Sequence, residues 1–555
     1  FEVIGVSAVV PFIAVVLSPE IVFENDYFIM IYNFLNLQSV ESFIIFLGLV
    51  LISTIVISNF YQAFMNWATV YFTNKIGYRL SVRLLEKYLN RNYDFFLNRN
   101  TSDLTKNIIS EVQRVTSGVV MQSITILSKL VIIINLLAVL IYVNPLIAAL
   151  STLIMGGAYA LIFLFFKSKL QAKGTELTEY DFKAYKAINE SMSGIKDIKL
   201  HSNESEFIKR YAFFAKKMAI IQAHRVLITS MPRYLLEAIA FAGMVIIIIV
   251  LISLNDGMNS AIFPVVGLYA MVGYRLMPAF QQMYSGIANL KFNLPAFENL
   301  VKEFNYSDSL KQELNEAKIV PFRDKIKISK LYFSYESDEN NILNDLNLEI
   351  LKNTTVGLVG STGSGKTTLI DIILFLLQPS SGCISIDGIE INSKNRLGWQ
   401  KQIGYVPQSI YLTDDSILEN IAFAVPFDEI DLKKVEKAAK MASLHNFVQT
   451  LPAKYDTLVG ERGVRLSGGQ RQRIGIARAL YHDPDVLVLD EATSSLDGIT
   501  EDVIIEAIKN LSHKKTIIMI AHRISTVKDC DTTVSYTHLR AHETVLDLVC
   551  RLLLE

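Results

Sequence analysis

Long apolar runs without charged side chains dominate the first 300 residues of the chain. The clearest occupy residues 43–58, 130–143, 146–166, 238–254 and 261–273. With its flanks, each approaches the roughly 20 residues that a helix needs to cross a bilayer. A further run at 3–17 resembles a span that is cut short, since the chain begins with Phe1 instead of Met. The pattern therefore predicts a helical domain with six membrane spans over residues 1–300, the first of them truncated.

The segments between these runs alternate in charge. Residues 19–40, the Asn144-Pro145 turn and residues 255–260 contain no Lys or Arg, whereas residues 75–114 and 167–233 are rich in both. By the positive-inside rule, the two basic segments are expected on the cytosolic side. A set of buried core helices in a soluble protein is the alternative, and this one-sided charge disfavours it.

A second domain is predicted after a polar linker at residues 301–325. From residue 326 to 555, short β-rich runs at 355–359, 404–406, 486–489 and 516–520 alternate with helical stretches. Such alternation is typical of a parallel sheet with crossover helices.

Composition agrees with a membrane protein and excludes other classes. Hydrophobic residues make up 51% of the chain and charged residues only 19%, against about 25% charged in globular chains. The net charge of -1 disfavours electrostatic binding of nucleic acid. Cys383, Cys530 and Cys550 have the spacing of neither a zinc site nor a disulfide framework, which favours a reduced, cytosolic setting for the C-terminal half.

The stretch from Gly360 to Thr367 fits the pattern G-x-x-x-x-G-K-[ST] between a predicted strand and a predicted helix. In that context, backbone N–H groups surround phosphates, Lys366 reaches the β and γ oxygens, and the Thr367 hydroxyl holds Mg²⁺. A second apolar strand, residues 486–489, ends in Asp490 and Glu491. We expect Asp490 to hold Mg²⁺ and Glu491 to orient the attacking water. An ordinary strand ending in two acids is the alternative.

Leu466-Ser467-Gly468-Gly469-Gln470, together with Gln408 and His522, makes the chain resemble the ATP-binding cassette (ABC) family. The resemblance extends to Tyr335, to Gly460-Glu461-Arg462-Gly463 and to Asp497. It implies an ATPase of exporter type with ATP and Mg²⁺ as cofactors. The fold class is therefore a multidomain membrane protein, in which a six-helix all-α transmembrane domain of ABC exporter type is joined to an α/β P-loop NTPase cassette.

The same resemblance implies roles for single residues. Tyr335 is expected to stack on adenine, and Ser467 and Gly469 to contact the γ-phosphate bound by the opposite subunit. The implied catalytic residues are Glu491, His522 and Gln408, and the implied Mg²⁺ ligands are Thr367, Gln408 and Asp490. The implied ATP-binding set is Tyr335, Gly360, Ser361, Thr362, Gly363, Ser364, Gly365, Lys366, Thr367, Thr368, Ser467, Gly468, Gly469, Gln470 and Asp497. Since one cassette is present, two chains are needed, and a homodimer is the simplest assembly.

Short matches in the first domain resemble the bacterial flippases of lipid-linked oligosaccharides that serve protein N-glycosylation. They are Val10 to Ile13, Pro232-Arg233 with Leu236-Glu237, and Tyr274 to Pro278. The resemblance implies that a polyprenyl-diphosphate glycan moves from the inner to the outer leaflet of a bacterial inner (plasma) membrane, with the cassette cytosolic. Export of a peptide, a drug or a lipid A type lipid remains an alternative, and a soluble cassette ATPase is disfavoured.

Three cations are candidate ligands for the anionic headgroup of such a lipid. Lys129 and Arg275 fall toward the cytosolic leaflet within predicted spans, where charges are costly and often functional. Arg233 completes the set. The alternatives are that these side chains extend to the inner interface and that Arg233 pairs with Glu237, four residues further along the same helical face.

The C-terminal end departs from the cassette pattern. No glycine follows Ile499, and residues 532–555 stand where an apolar strand and a glycine-bearing turn are expected. This segment resembles translated sequencing-adapter sequence, so we expect it to be a non-native tail.

Overall fold

The computed structural model describes most of the chain. The described residues are 12, 15–16, 19–37, 39–143, 145–254, 262–305, 320–335, 341–491, 498–520, 530–537 and 540–544, without some of their side chains, among them those of residues 246–275. The chain divides into two compact units. The first consists of Phe1–Arg91 and Asn98–Ser307, and the second of Asn92–Leu97 and Asp308–Glu555.

The first unit is helical throughout its described part. Two π-helical segments, Asn107–Glu111 and Thr116–Val120, flank its short helix α6. The helices up to Ser193 are α1 (Ile21–Glu24), α2 (Asp26–Phe34), α3 (Val40–Leu89), α4 (Tyr93–Leu97, in the second unit), α5 (Thr101–Lys106), α6 (Val112–Val115), α7 (Met121–Val143) and α8 (Pro145–Ser193). Those that follow are α9 (Ile195–His201), α10 (Glu204–Leu254) and α11 (Ile262–Asn305).

Long apolar helices are the main feature of this unit. Among the described residues, Val40–Leu89 and Thr101–Tyr142 are long and apolar enough to cross a membrane, since each contains an 18-residue window with a mean hydropathy of 2.5 or 2.6, respectively. The apolar runs predicted from the sequence lie in α3, α7, α8, α10 and, from Ile262 onward, α11; the run at 3–17 lies largely outside the described residues. A helix of 50 residues such as α3 is about 75 Å long. Since a hydrocarbon core is about 30 Å thick, these helices extend well beyond a bilayer.

Helices α8 and α11 pack closely at Gly174. A Cβ added there lies 1.9 Å from the carbonyl oxygen of Phe292 on α11, so only glycine permits this approach. Around the contact, Leu170, Leu177 and Phe292 are almost fully buried. Packing of this unit therefore depends on close backbone contact as well as on apolar side chains.

The second unit contains two sheets. One is antiparallel, in the order β2-β1-β4-β5, and the other has six strands in the order β10-β9-β3-β8-β7-β6. In the six-stranded sheet, β9, β3, β8, β7 and β6 run parallel, which confirms the predicted parallel sheet. The strands are β1 (Lys325–Phe333), β2 (Leu343–Leu351), β3 (Thr355–Gly360), β4 (Ser381–Ile386), β5 (Ile389–Glu390), β6 (Ile403–Val406), β7 (Val486–Asp490), β8 (Thr516–Ile520), β9 (Thr532–Thr537) and β10 (Arg540–Thr544).

Helices cover the parallel sheet and complete its core. They are α12 (Lys366–Ile373), α13 (Arg396–Gln400), α14 (Ile417–Ile421), α15 (Leu432–Met441), α16 (His445–Thr450), α17 (Gly468–Leu480) and α18 (Gly498–Leu511). Every residue of β7 and β8 is buried. As expected for parallel strands covered on both faces, their sequences are apolar except for Asp490 at the end of β7 and Thr516 at the start of β8.

Two boundaries differ from the sequence-based expectation. Helix α11 continues through Asn305 into the segment predicted as linker, and its residue Glu303 is 5% exposed. The predicted non-native tail begins with β9, which pairs in parallel with β3. A strand therefore occupies the expected position although its sequence is polar, because β3 offers an unpaired edge. The non-native origin of residues 532–555 stays a prediction.

Candidate active site

The phosphate loop has the conformation that its sequence predicts. Strand β3 ends at Gly360 and helix α12 begins at Lys366. Between them Gly365 has φ +93°, a left-handed conformation that favours glycine. Ser361, Thr362 and Thr367 are exposed. The loop therefore presents backbone and hydroxyl groups at a helix N-terminus, where anions are favoured.

Lys366 is held inside this loop. Its Nζ donates to the carbonyl oxygens of Gly360 and Ser361, at 2.8 Å each. Burial lowers the pKa of the ammonium group, and the charges of Glu491 and Asp490 oppose this shift. Nearby phosphate oxygens would stabilise the charged form further, as expected for a phosphate-binding lysine.

Two carboxylates lie at the carboxyl end of β7. Asp490 is 5% exposed, and the hydroxyl of Tyr405 on β6 lies 3.5 Å from its Oδ2. Glu491 accepts a hydrogen bond of 2.7 Å from Nε2 of Gln408. Its φ of +48° is uncommon for a residue with a Cβ. Strain of this kind often occurs at functional sites, and the hydrogen bond from Gln408 holds the Glu491 carboxylate in place.

The oxygen ligands that Mg²⁺ prefers are present at this strand end. Mg²⁺ usually binds one or two carboxylates and keeps phosphate oxygens and water as its other ligands. Asp490 at the end of β7 and the exposed Thr367 hydroxyl fit such a set. Gln408 is exposed and already bonded to Glu491. These residues are suited to hold the ion when nucleotide is bound.

A further acid, Asp371, belongs to this site and was not predicted from the sequence. It lies on α12 and is 9% exposed. Burial, and then the charge of Asp490, raise the pKa of Asp371 to about 6. The available signal was a single acid inside the apolar run from Leu369 to Ile373, because an isolated acid is seldom buried on a helix without a partner.

Tyr335 lies beside the first turn of α12. Its hydroxyl is 3.3 Å from Oγ1 of Thr368, and its ring meets that of Phe333 edge-on at 5.0 Å between centroids. The ring thus follows directly on β1, next to the phosphate loop. Its stacking on adenine stays a prediction.

Ser467 forms the N-cap of α17. Its Oγ accepts a hydrogen bond of 3.2 Å from the backbone N–H of Gln470, and the Gln470 side chain accepts one of 2.9 Å from the N–H of Ser467. This reciprocal capping box fixes the start of the helix, where the helix dipole favours an anion. Ser467 is exposed, so its hydroxyl is accessible to a phosphate from another chain.

A cavity of about 460 Å³ lies next to this helix start. It brings the Gln408 loop and the first turns of α17 together. Its lining consists of Gln408, Ser409, Ile410, Tyr411, Arg462, Gly468, Arg471 and Gln472.

Comparison with known proteins decides the family. Residues 5–272 match the profile "ABC transporter transmembrane region", and residues 343–494 match the profile "ABC transporter". The chain belongs to the ABC exporters. It is a half-transporter that combines a helical transmembrane domain with one nucleotide-binding cassette, which confirms the predicted fold class.

Relatives of this exporter support the same assignment over most of its length. It is 29% identical over 455 residues to "ABC transporter B family member 29, chloroplastic" of Arabidopsis thaliana, covering 81% of this chain and 71% of the relative. It is 28% identical over 469 residues to the "ATP-dependent lipid A-core flippase" of Methylococcus capsulatus, covering 83% and 76%. A bacterial Atm1-family ABC exporter solved with ATP bound has the same fold, with a TM-score of 0.79, 22% identity and coverage of 99% and 96%.

The exporter is therefore an ATPase coupled to transport, as the cassette predicted. It is a membrane protein with a cytosolic cassette, and half-transporters of this kind typically dimerise. Among the predicted nucleotide ligands, Asp497 and His522 lie outside the described residues.

The three predicted cargo residues lie on different helices. Arg233 on α10 pairs with Glu237, with 2.6 Å between Nε and Oε1, as the alternative interpretation expected. Lys129 is half-buried on α7. Arg275 belongs to α11, but its side chain lies outside the described part. A cavity shared by these three residues stays a prediction.

Proposed function

We propose that this exporter is an ATP-driven flippase that moves a polyprenyl-diphosphate glycan from the inner to the outer leaflet. The observation that carries the proposal is an exposed apolar stripe on α1 and α2, the short helices before α3. Its residues are Phe23, Tyr27, Met30 and Phe34, and their exposed fractions are 58%, 78%, 71% and 84%.

The opposite face of these short helices is already packed. Val22 is fully buried, and the rings of Phe28 and Tyr32 meet the ring of Phe43 on α3 edge-on, each with 5.9 Å between centroids. The stripe is therefore not needed to hold α2 on its own unit. A helix that is apolar on both faces is suited to burial in a membrane or against another apolar partner.

The charge pattern supports a position of this stripe at the outer leaflet. The segment 19–40 that contains α2 has no Lys or Arg, so the positive-inside rule assigns it to the external side. There the stripe can bind the apolar chain of a lipid that is carried by its headgroup. A polyprenyl tail fits this chemistry, since it is an apolar chain attached to a polar headgroup.

The proposal also assigns the residues inferred from the sequence. Lys129, Arg233 and Arg275 contact the anionic headgroup in the cavity, and Arg233 exchanges its partner Glu237 for this ligand. In the cassette, Glu491 and Gln408 orient the attacking water, Asp490 and Thr367 hold Mg²⁺, and two identical chains each complete the nucleotide site of the other through Ser467. The bond of 2.7 Å between Gln408 and Glu491 supports their joint role.

The test uses the full chain in lipid vesicles with a fluorescent polyprenyl-diphosphate glycan. In the variant Tyr27→Ser/Met30→Ser/Phe34→Ser we expect ATP-dependent flipping to fall about tenfold or more, while basal ATP hydrolysis stays within about twofold. The reason is that the variant loses apolar contact with the lipid, worth about 25 cal/mol per Å², and this contact exists only when lipid is bound. The matched control is Tyr142→Ser, which removes an aromatic side chain 93% exposed near the end of α7.

The proposal would be contradicted if the triple variant flipped the glycan at the same rate as the control. A second candidate cargo is a lipid A type lipid, because a flippase of lipid A-core is among the relatives. If lipid A stimulates ATP hydrolysis and the diphosphate glycan does not, that candidate replaces the first.

A further inference from the structure

Arg225 on α10 is a cation with neutral neighbours. Its Nη1 donates to Oδ1 of Asn289 at 3.1 Å, and its guanidinium lies over the Phe292 ring at 5.5 Å from the centroid. Its Nε is buried and has no acceptor. Within the described ranges, no carboxylate pairs with Arg225. Partial burial of a guanidinium without a counter-charge costs free energy, which a bound anion would offset.

A second buried arginine increases the positive potential at this point. Arg114 is linked to the same face of α11, since its Nε donates to Oδ1 of Asn293 at 3.4 Å and Asn293 donates to the carbonyl of Asn289 at 2.8 Å. Arg114 itself is balanced by Glu111, at 3.3 Å. Burial, and then the charge of Arg114, lower the pKa of Arg225. The uncompensated charge is therefore that of Arg225.

Three helices place this cluster at one depth in the membrane. Measured along the helix axis, Arg225 lies about 43 Å from the end of α10 at Leu254, and Arg114 lies about 43 Å from the end of α7 at Val143. Asn289 lies about 40 Å from the start of α11 at Ile262. A bilayer measures about 40–45 Å with its headgroups. Since these helix ends face outward by the charge pattern, the cluster lies level with the inner-leaflet headgroups.

We propose that Arg225, positioned by Asn289 and Phe292, binds the diphosphate of the lipid cargo at the inner leaflet before translocation. This inference rests on the proposed function and adds an entry site outside the predicted spans. The guanidinium is suited to it, because it binds phosphate oxygens with paired, charge-assisted hydrogen bonds. Arg233, two turns further along α10, is engaged by Glu237, so the anion meets Arg225 before it meets an already paired arginine.

The experiment measures binding of polyprenyl diphosphate to the full chain in phosphatidylcholine nanodiscs, with the protein labelled for thermophoresis. In Arg225→Gln we expect affinity to fall about tenfold or more, because the variant loses the charge-assisted hydrogen bonds to the diphosphate. Arg225→Lys keeps the charge and should recover part of the loss. The matched control is Arg210→Gln on the same helix, which removes an exposed arginine paired with Glu190 at 2.7 Å and should change affinity less than twofold.

A parallel titration with soluble inorganic diphosphate separates a headgroup site from a free-anion site. It uses Lys366→Ala protein, so that the phosphate loop does not contribute. The proposal is overturned if Arg225→Gln and the control bind the lipid with equal affinity. It is also overturned if the protein binds the soluble diphosphate but not the lipid. If the lipid binds through Arg225 but no glycan is flipped in vesicles, the site stands and the proposed function fails.

Discussion

In the cassette, the site residues lie at or shortly after the carboxyl ends of parallel strands, namely Lys366, Gln408, Asp490 and Glu491. The buried polar groups of the helical unit instead come from residues far apart in the chain. Arg114 and Asn293 are 179 residues apart, and Arg225 and Asn289 are 64 apart. A parallel sheet brings its strand ends to one edge, so a short motif suffices to build a site. A helical bundle builds polar sites by packing, which leaves no motif in the sequence.

The largest expected effect tests the cassette side of this comparison. Glu491→Gln should lower the rate of ATP hydrolysis by about 10²–10⁴-fold, because it removes the carboxylate that we propose orients the attacking water but keeps the shape of the side chain. Binding of a fluorescent ATP analogue should stay within about twofold, since Lys366 and its loop contacts remain. Phosphate release and nucleotide titration on the detergent-solubilised protein check both values.

The matched control is Glu436→Gln, which changes an exposed acid on α15 and should leave both values unchanged. Hydrolysis within threefold of the parent protein in Glu491→Gln would show that strand-end geometry alone does not identify the catalytic group. The contrast between a site encoded by a short motif in the cassette and sites built by packing in the helical unit would then not extend to catalysis.

A smaller effect tests the helical unit. Gly174→Ala should destabilise the protein by roughly 1–3 kcal/mol, because the new Cβ falls 1.9 Å from the Phe292 carbonyl oxygen and forces α8 and α11 apart. Gly157→Ala on the same helix is the control, since nothing lies within 4 Å of a Cβ there. It should be neutral or stabilising by up to about 1 kcal/mol.

Thermal unfolding of detergent-solubilised protein, followed by size exclusion, measures both glycine variants. Equal midpoints for the two would mean that the first unit tolerates separation of α8 from α11. Arg114 donates to the Gly174 carbonyl at 3.3 Å, so the polar cluster around Arg114 lies at this helix contact. Equal midpoints would therefore also mean that the cluster does not depend on the close approach of α8 to α11.

How far the sequence alone predicts the molecule follows from the same contrast. The phosphate loop, the Asp490-Glu491 strand end and the apolar helices were predicted because each is encoded within one continuous stretch. Arg225 was not predicted, since its neighbours Asn289 and Phe292 belong to another helix. The close contact at Gly174 was missed for the same reason, and the β9 strand because its polar sequence is placed by the free edge of β3.

An effect of similar size, but one that disappears at acidic pH, concerns Asp371, a residue of the cassette that behaves like the buried polar groups of the helical unit. Its pKa is raised to about 6, against about 3.9 in an unfolded chain. The folded state therefore binds a proton more tightly, and the resulting stability is present below about pH 4 and lost as pH rises through 6. Asp371→Asn, which resembles the protonated acid, should match the parent at pH 4 and be more stable by roughly 1–3 kcal/mol at pH 7.

The chain has one tryptophan in each unit, Trp67 and the fully buried Trp399, so urea unfolding in a Trp67→Phe background reports on the cassette alone. Asp428→Asn, at an exposed site, is the control. If the free energy of unfolding of Asp371→Asn had the same pH dependence as that of the parent, burial of the Asp371 carboxylate would cost no stability. Buried polar groups of the cassette would then be accommodated as readily as those at its strand ends.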